Sequence, residues 1–249
     1  MPLQHQKHLR IIELAIAVLV ILLIITVINE PTEPEPLNES TILSKFRSFV
    51  MQENLIDEDG DGYPPTRGDC NDNDPEISPA SKNVPEYYNE DQSWKDYNCN
   101  NEQDLPVGTF FVTSKEYDPN LGGLSGADNK CQSEADNSNL AGNWKALLST
   151  SKINAKDRIS DEEYYNVRGE LIDTEKIKLF NKSIKNAVRY NNDGTANESM
   201  VFTGTRFEGV PYSAFNCKAW TTNGTASVVY GHSGSADTNW IKHRTFQTC

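Results

Sequence analysis

The chain has 249 residues and a formal net charge of −13, enough length for one or two modest domains. The acidity is local: residues 57–104 carry 14 Asp and Glu against 3 Lys and Arg, a net of −11, whereas residues 107–249 carry 16 of each and balance to zero. An acidic chain without a basic stripe argues against nucleic-acid binding. The five cysteines form no CxxC pair and no Cys/His cluster at zinc spacing, which leaves disulfides in an oxidising compartment as their reading, with one thiol over.

In chain order, residues 1–10 form a short tail with Lys7 and Arg10. Residues 11–28 (IIELAIAVLVILLIITVI) have about the minimum length to cross a bilayer as a helix. Basic residues before this run and Glu30, Glu33 and Glu35 after it orient the chain by the positive-inside rule. The N-terminus is then cytoplasmic and the rest lies outside a cell membrane. No small-x-small cleavage site follows, so an uncleaved single-pass anchor is expected. The string Ile-Ile-Glu-Leu around Glu13 resembles the N-terminus of type IV pilins. That register places His8 where the family has Gly or Ala before the cut, and Glu13 is read instead as an interfacial residue reaching toward water. Residues 29–55 begin with three prolines and three glutamates, a stiff solvated spacer. They continue into an amphipathic stalk helix over residues 39–54, with Ile42, Leu43, Phe46, Phe49 and Val50 at helical spacing.

Residues 56–104 are the most informative part of the chain. Asp57, Asp59 and Asp61 alternate with glycines, the arrangement of hard oxygen ligands that calcium requires. The carbonyl of Tyr63 stands at the seventh position, as in an EF-hand loop. The twelfth position is Gly68 rather than Glu, and Pro64, Pro65 and Pro75 interrupt any flanking helix, so an EF-hand is not expected. A second acidic run, Asp69-Cys70-Asn71-Asp72-Asn73-Asp74-Pro75, follows, and then Asp96-Tyr97-Asn98-Cys99-Asn100. The three pieces together resemble a metal-binding motif of bacterial and archaeal surface proteins that is related to thrombospondin type 3 repeats. In it DxDGDG is followed by DCxDxDPxxxP and a DxDC-like return. The resemblance implies a calcium module in which Cys70 pairs with Cys99 and the ion replaces a hydrophobic core. It also implies ligands drawn from Asp57, Asp59, Asp61, Tyr63, Asp69, Asn71, Asp72, Asn73, Asp74, Asp96 and Asn98. The glutamate that follows the proline in that family corresponds to Glu86, after a short insertion.

Residues 107–249 read as a globular domain. Gly108–Ser114 is expected as a strand and Gly126–Leu140 as a helix with Ala127, Cys131 and Ala135 on one face and Ser125 as N-cap. Trp144–Ser149 is expected as a buried strand, and residues 152–192 as polar loop. The strings FVTS-x-x-YD-x-NLGGLSGAD-x-x-CQ, L-x-G-x-W-KALLS, FTGT and NC-x-x-WTT resemble a domain of unknown function (DUF1554-like) related in fold to C-type lectins and endostatin. The resemblance implies an α+β fold: a lectin-like domain with a small twisted sheet, a packed helix and long loops. Such domains close with two late cysteines and a further strand; here only Cys249 remains, and its partner is Cys217 or Cys131, with Cys217 favoured because both lie in the late loops.

Neither a calcium tripeptide (EPN or QPD) nor a WND string occurs in the late loops, so direct sugar binding has only weak candidates: Trp220, Tyr230, His232, Asp237, Asn239 and Trp240. The four histidines, His5, His8, His232 and His243, have no evident nucleophile partner, and Gly122-Gly123-Leu-Ser-Gly126 lacks phosphate-loop context. No enzyme is expected. The expected function is that of a membrane-anchored, calcium-binding extracellular protein whose lectin-like domain serves adhesion or recognition of a glycan or protein at the cell surface. The alternative is a structural envelope or pilin-like component rigidified by calcium.

Overall fold

The computed structural model describes residues 42, 43, 45, 47, 55–82, 84–246 and 249. The chain divides into two compact units, Met1–Ile56 and Asp57–Cys249. Ile42, Leu43, Lys45 and Arg47 of the expected stalk are helical and exposed. The membrane span expected at residues 11–28 lies outside the described residues; among these, no helix is long and apolar enough to cross a membrane.

The second unit is α+β. Its helix α1 (Gly123–Asn137) packs against small sheets. The first sheet joins β1 (Thr109–Phe110) in parallel to β2 (Tyr164–Asn166), which pairs antiparallel with β3 (Leu171–Asp173) across an irregularity at Tyr164/Tyr165. A one-turn helix α2 (Lys176–Leu179) follows β3. The second sheet is antiparallel, in the order β4 (Met200–Phe202), β7 (Val228–His232) and β8 (Arg244–Phe246). A short hairpin, β5 (Thr205–Arg206) with β6 (Val210–Pro211), lies between β4 and β7 in sequence.

Three of the sequence expectations need correction. Helix α1 starts three residues early, at Gly123, with Gly122 as N-cap in the left-handed region (φ 81°) and no side-chain cap. Ser125 therefore sits inside the first turn. Trp144–Ser149 is buried at Ala146, Leu148 and Ser149 but forms no ladder. Ser149 instead donates its N–H to Thr203 O (3.0 Å), and its carbonyl accepts the indole N–H of Trp220 (3.0 Å). Residues 152–192 are not merely polar loop. Tyr164, Ile172, Leu179, Phe180 and Ile184 from this stretch pack with Trp240 and Ile241 into the first core cluster. Tyr164 and Ile172 lie in three-residue strands too short to show a period of two, and Leu179, Phe180 and Ile184 in a one-turn helix and the irregular chain after it, so no periodicity marked them.

The second cluster groups Leu121, Ala127, Ala146, Leu148, Trp220 and Val228. Trp220 ends a turn, Cys217–Trp220, in which four consecutive non-glycine residues hold positive φ (48°, 51°, 58° and 66°). Left-handed backbone costs roughly 1–2 kcal/mol per L-residue, so this turn persists only because other contacts over-determine it. Those contacts are the Cys217–Cys249 disulfide, Asn216 Oδ1 accepting from Ala219 N (2.9 Å), and the buried Trp220. The second disulfide is Cys70–Cys99, and Cys131 is free. The choice left open for Cys249 thus falls on Cys217.

The acidic module is no detached spacer. Tyr88, with Trp94 and Leu105 beside it, completes the third cluster with Ala135, Leu140, Val167 and Tyr190 of the following domain. Tyr88 N donates to Val167 O (3.0 Å) and its hydroxyl to Asn192 O (3.2 Å). Gly194 (φ 77°) makes room for this ring, since a Cβ there would lie 2.6 Å from Tyr88 Cγ. Gln103, fully buried, receives Ala141 N, donates its own N–H to Asn139 O, and spends its amide on Glu86 O.

Glu134 on α1 is buried at 1 % exposure. It accepts from Ser114, from the Tyr117 hydroxyl (2.8 Å) and from Lys115 (3.3 Å). Burial alone would raise its pKa, but the hydrogen bonds from Ser114, Tyr117 and Lys115 outweigh it and hold the carboxyl below its ordinary value. A depressed folded pKa contributes stability that is present above about 4.5 and lost as pH falls through the folded value. Glu134→Gln is expected to cost about 1–3 kcal/mol at neutral pH, with the gap to wild type narrowing below pH 4.5; denaturant melts at pH 7 and pH 3.5 measure both.

Candidate metal centre

The loop Asp57–Tyr63 winds on its own carboxylates. Asp57 accepts Gly60 N and Gly62 N, both at 2.8 Å. Asp59 Oδ1 accepts Asp61 N (3.1 Å), and Asp61 Oδ1 accepts Tyr63 N (2.8 Å). Asp69 Oδ1 accepts Asn71 N (2.8 Å) in the next run. Aspartates favour such turns because a short carboxylate reaches the N–H two residues on. Each of Asp59, Asp61 and Asp69 thereby spends one oxygen on the backbone. The other oxygens, Asp59 Oδ2, Asp61 Oδ2 and Asp69 Oδ2, are buried and have no hydrogen-bond partner.

These side chains converge. Asp57, Asp59 and Asp61 bring one oxygen each within 4.8 Å of one another, and so do Asp59, Asp69 and Asp72. Asp59 belongs to both sets. Burial raises its pKa above the ordinary carboxylate value, and the charges of Asp61, Asp69 and Asp57 add to the rise. Several carboxylates that share a site with buried, unpaired oxygens form an unfavourable arrangement unless a cation sits among them. The donor set is all hard oxygen with flexible turns, which fits calcium.

The remaining sequence candidates are placed elsewhere. Asp74 is ion-paired to Lys95 (2.8 Å), which holds its carboxyl below the ordinary value; it is not part of the cluster. Asn71 and Asn73 are exposed and serve the turn through their backbones. Asp96 and Asn98 form a separate turn near Cys99. Asp96 accepts Asn100 N (3.2 Å) and Asn101 N (2.9 Å), and the amides of Asn98 and Asn100 converge on Asp104 Oδ2 (2.6 and 3.1 Å). Asp104 was absent from the sequence candidates, although oxygen-bearing residues at 96, 98, 100 and 104 mark it. Glu86 closes this turn: it is 1 % exposed and accepts Tyr97 N (2.7 Å) and Asp104 N (3.0 Å).

The late-loop candidates form no open sugar platform. Trp220 is fully buried and Trp240 is 5 % exposed, so both are core residues without a ring face open to a sugar. Tyr230 packs between Phe202, tilted at 39°, and Phe246, edge-on at 84° (ring centroids 5.0 Å from each). Asp237 accepts both the backbone and side-chain N–H of Asn239 (2.9 and 3.1 Å), a closed local turn. His232 and His243 approach to 5.7 Å between ring centroids, and the neighbouring Ser233 hydroxyl is taken up by Asn197 O and Ser199 N.

No curated protein matches the chain. The model of a family described as a protein of unknown function (DUF1554) matches residues 114–239. The match covers half of the chain and nearly all of the domain that follows the acidic module, and the protein belongs to that family.

Proposed function

We propose that the protein is a calcium-binding surface protein, held to a membrane by residues 11–28, in which a lectin-like domain is presented for adhesion or recognition of a glycan or protein. The observation that carries the calcium reading is the set of three buried, unpartnered oxygens on Asp59, Asp61 and Asp69. Asp57 and Asp72 complete the candidate ligand set. Bound there, calcium supplies the positive charge that offsets the mutual repulsion of these carboxylates. The chain's own residues do the rest. Asx turns preset the loop, Cys70–Cys99 closes it, Glu86 braces the module from within, and the Gln103 backbone and Tyr88 tie the module to the domain.

A structural role for the ion, in an envelope or pilin-like component, is the second reading. It is favoured by the core that the module and the domain share within one compact unit. In both readings Asp59→Asn/Asp61→Asn has opposite effects with and without calcium. In chelator the variant melts at or above wild type, because like charges have been removed. With calcium at a hundred times its Kd, wild type gains about 2.7 kcal/mol, roughly 5–10 °C for a unit of this size, and the variant gains nothing. A wild-type melting temperature that does not move between chelator and millimolar calcium would sink the calcium reading.

A further inference from the structure

The second sheet ends on β8, which has β7 on one side and no neighbour on the other among the described residues. Val229 of β7 stands opposite Thr245 of β8. Val229 gives its N–H to Phe215 O (3.2 Å), and its carbonyl accepts the N–H of Thr203 (3.1 Å), which follows β4 on the side of β7 away from β8. In an antiparallel ladder two opposed residues either bond to each other or both turn away. Thr245 therefore directs its own N–H and carbonyl to the outer edge, where it is exposed.

A shallow pocket of about 430 Å³ lies along this edge, lined by Lys242, His243, Arg244, Thr245 and Phe246 and by Tyr212. None of these residues is acidic. Lys242 stands 4.1 Å from the Tyr212 ring centroid, and Phe246 is 40 % exposed. Neither Lys242 nor Arg244 has a carboxylate within ion-pair distance among the described residues. The cause is compositional. Residues 199–249, which supply the whole second sheet and the hairpin, carry Arg206, Lys218, Lys242 and Arg244 against only Glu208 and Asp237, in a chain of net charge −13. Asp237 is engaged by Asn239, and the backbone of Glu208 is held by Phe180 O (3.0 Å), beside the first core cluster.

Cations on an edge strand ordinarily prevent edge-to-edge association. They do so against a second copy of β8, which would set Lys242 and Arg244 against the same cations. They do not repel an acidic strand. We infer that the outer edge of β8 takes up an extended acidic segment of a partner protein by strand addition. Thr245 exchanges main-chain hydrogen bonds with the segment, Lys242 and Arg244 pair with its carboxylates, and Phe246 and Tyr212 seat an apolar side chain. The inference rests on the reading of the domain as a recognition module and narrows its ligand to protein; the calcium loops take no part in it.

The probe is a fluorescein-labelled heptapeptide, Thr-Glu-Val-Glu-Val-Glu-Thr, added to the full, disulfide-intact chain, with its glutamine-for-glutamate counterpart beside it. The expected result is saturable, one-to-one anisotropy for the acidic peptide that weakens as salt is raised, and weaker binding of the glutamine peptide. Lys242→Gln and Arg244→Gln each weaken the acidic peptide by about two- to fivefold. Thr245→Pro removes an N–H that faces outward and serves no ladder bond, a position where an edge strand tolerates proline; it is expected to melt as wild type does and to give no saturable signal. The inference is overturned if the two peptides bind equally, if the glutamine variants bind the acidic peptide as wild type does, or if Thr245→Pro with a wild-type melting temperature still binds it. A labelled galacturonic acid trisaccharide that binds where the peptide does not overturns the inference and keeps the recognition reading; binding of neither counts against both.

Discussion

Replacing Trp220 with alanine is expected to cost about 3–5 kcal/mol, the range for deleting a large buried aromatic side chain, or roughly 10 °C in melting temperature for a unit of this size. The side chain is fully buried, its ring packs 5.8 Å from Phe202, and its indole N–H satisfies Ser149 O at 3.0 Å. It also fills the space that Gly204 leaves open, where a Cβ would lie 2.8 Å from the indole. Trp220→Phe keeps most of the packing and loses the hydrogen bond, so it should cost about 1–3 kcal/mol. Equal melting temperatures for wild type and Trp220→Ala would contradict the placement of this residue at the centre of the second core cluster.

The second large effect belongs to Cys217→Ala/Cys249→Ala. The bridge closes a loop of 32 residues, for which chain entropy gives about 3.7 kcal/mol of stabilisation. The loss should be felt locally as well, because Cys217 opens the left-handed turn that ends at Trp220. Once the bridge is gone, the backbone strain of that turn favours its opening, and amide protons between 216 and 221 are expected to exchange faster. Cys131→Ala is the control: its thiol pairs with nothing, and burial pushes it up to about 12, so it stays protonated. Melts and native-state hydrogen exchange on the two variants separate the contributions. Comparable destabilisation by Cys131→Ala would indicate that Cys131, rather than Cys217, is the partner of Cys249.

What could be read from the sequence follows from how local each feature is. The body of α1 was legible because Ala127, Cys131 and Ala135 repeat every four residues, whereas its first turn was not, because Gly122 caps it through backbone conformation alone. The acidic loops were legible because aspartate turns are local: the residues that wind the loop are also those whose second oxygens converge. Asp74 looked equivalent to its neighbours, but its partner Lys95 is 21 residues away and no spacing rule couples them. Asp104, by contrast, stands only six and four residues from its partners Asn98 and Asn100, so its place was marked by local spacing although it lies beyond the family motif. The first core cluster was hidden because it draws on two three-residue strands, a one-turn helix and irregular segments that carry no period, and the Cys217–Trp220 turn by the lack of any glycine to announce left-handed backbone.

The most direct test of the central claim is a calorimetric titration of the full, disulfide-intact chain with calcium, run beside the Asp59→Asn/Asp61→Asn variant. Saturable, stoichiometric heat in wild type that is absent from the variant is the predicted result. No saturable heat in wild type would contradict it and would leave Asp59, Asp61 and Asp69 as a cluster of strained carboxylates without an ion.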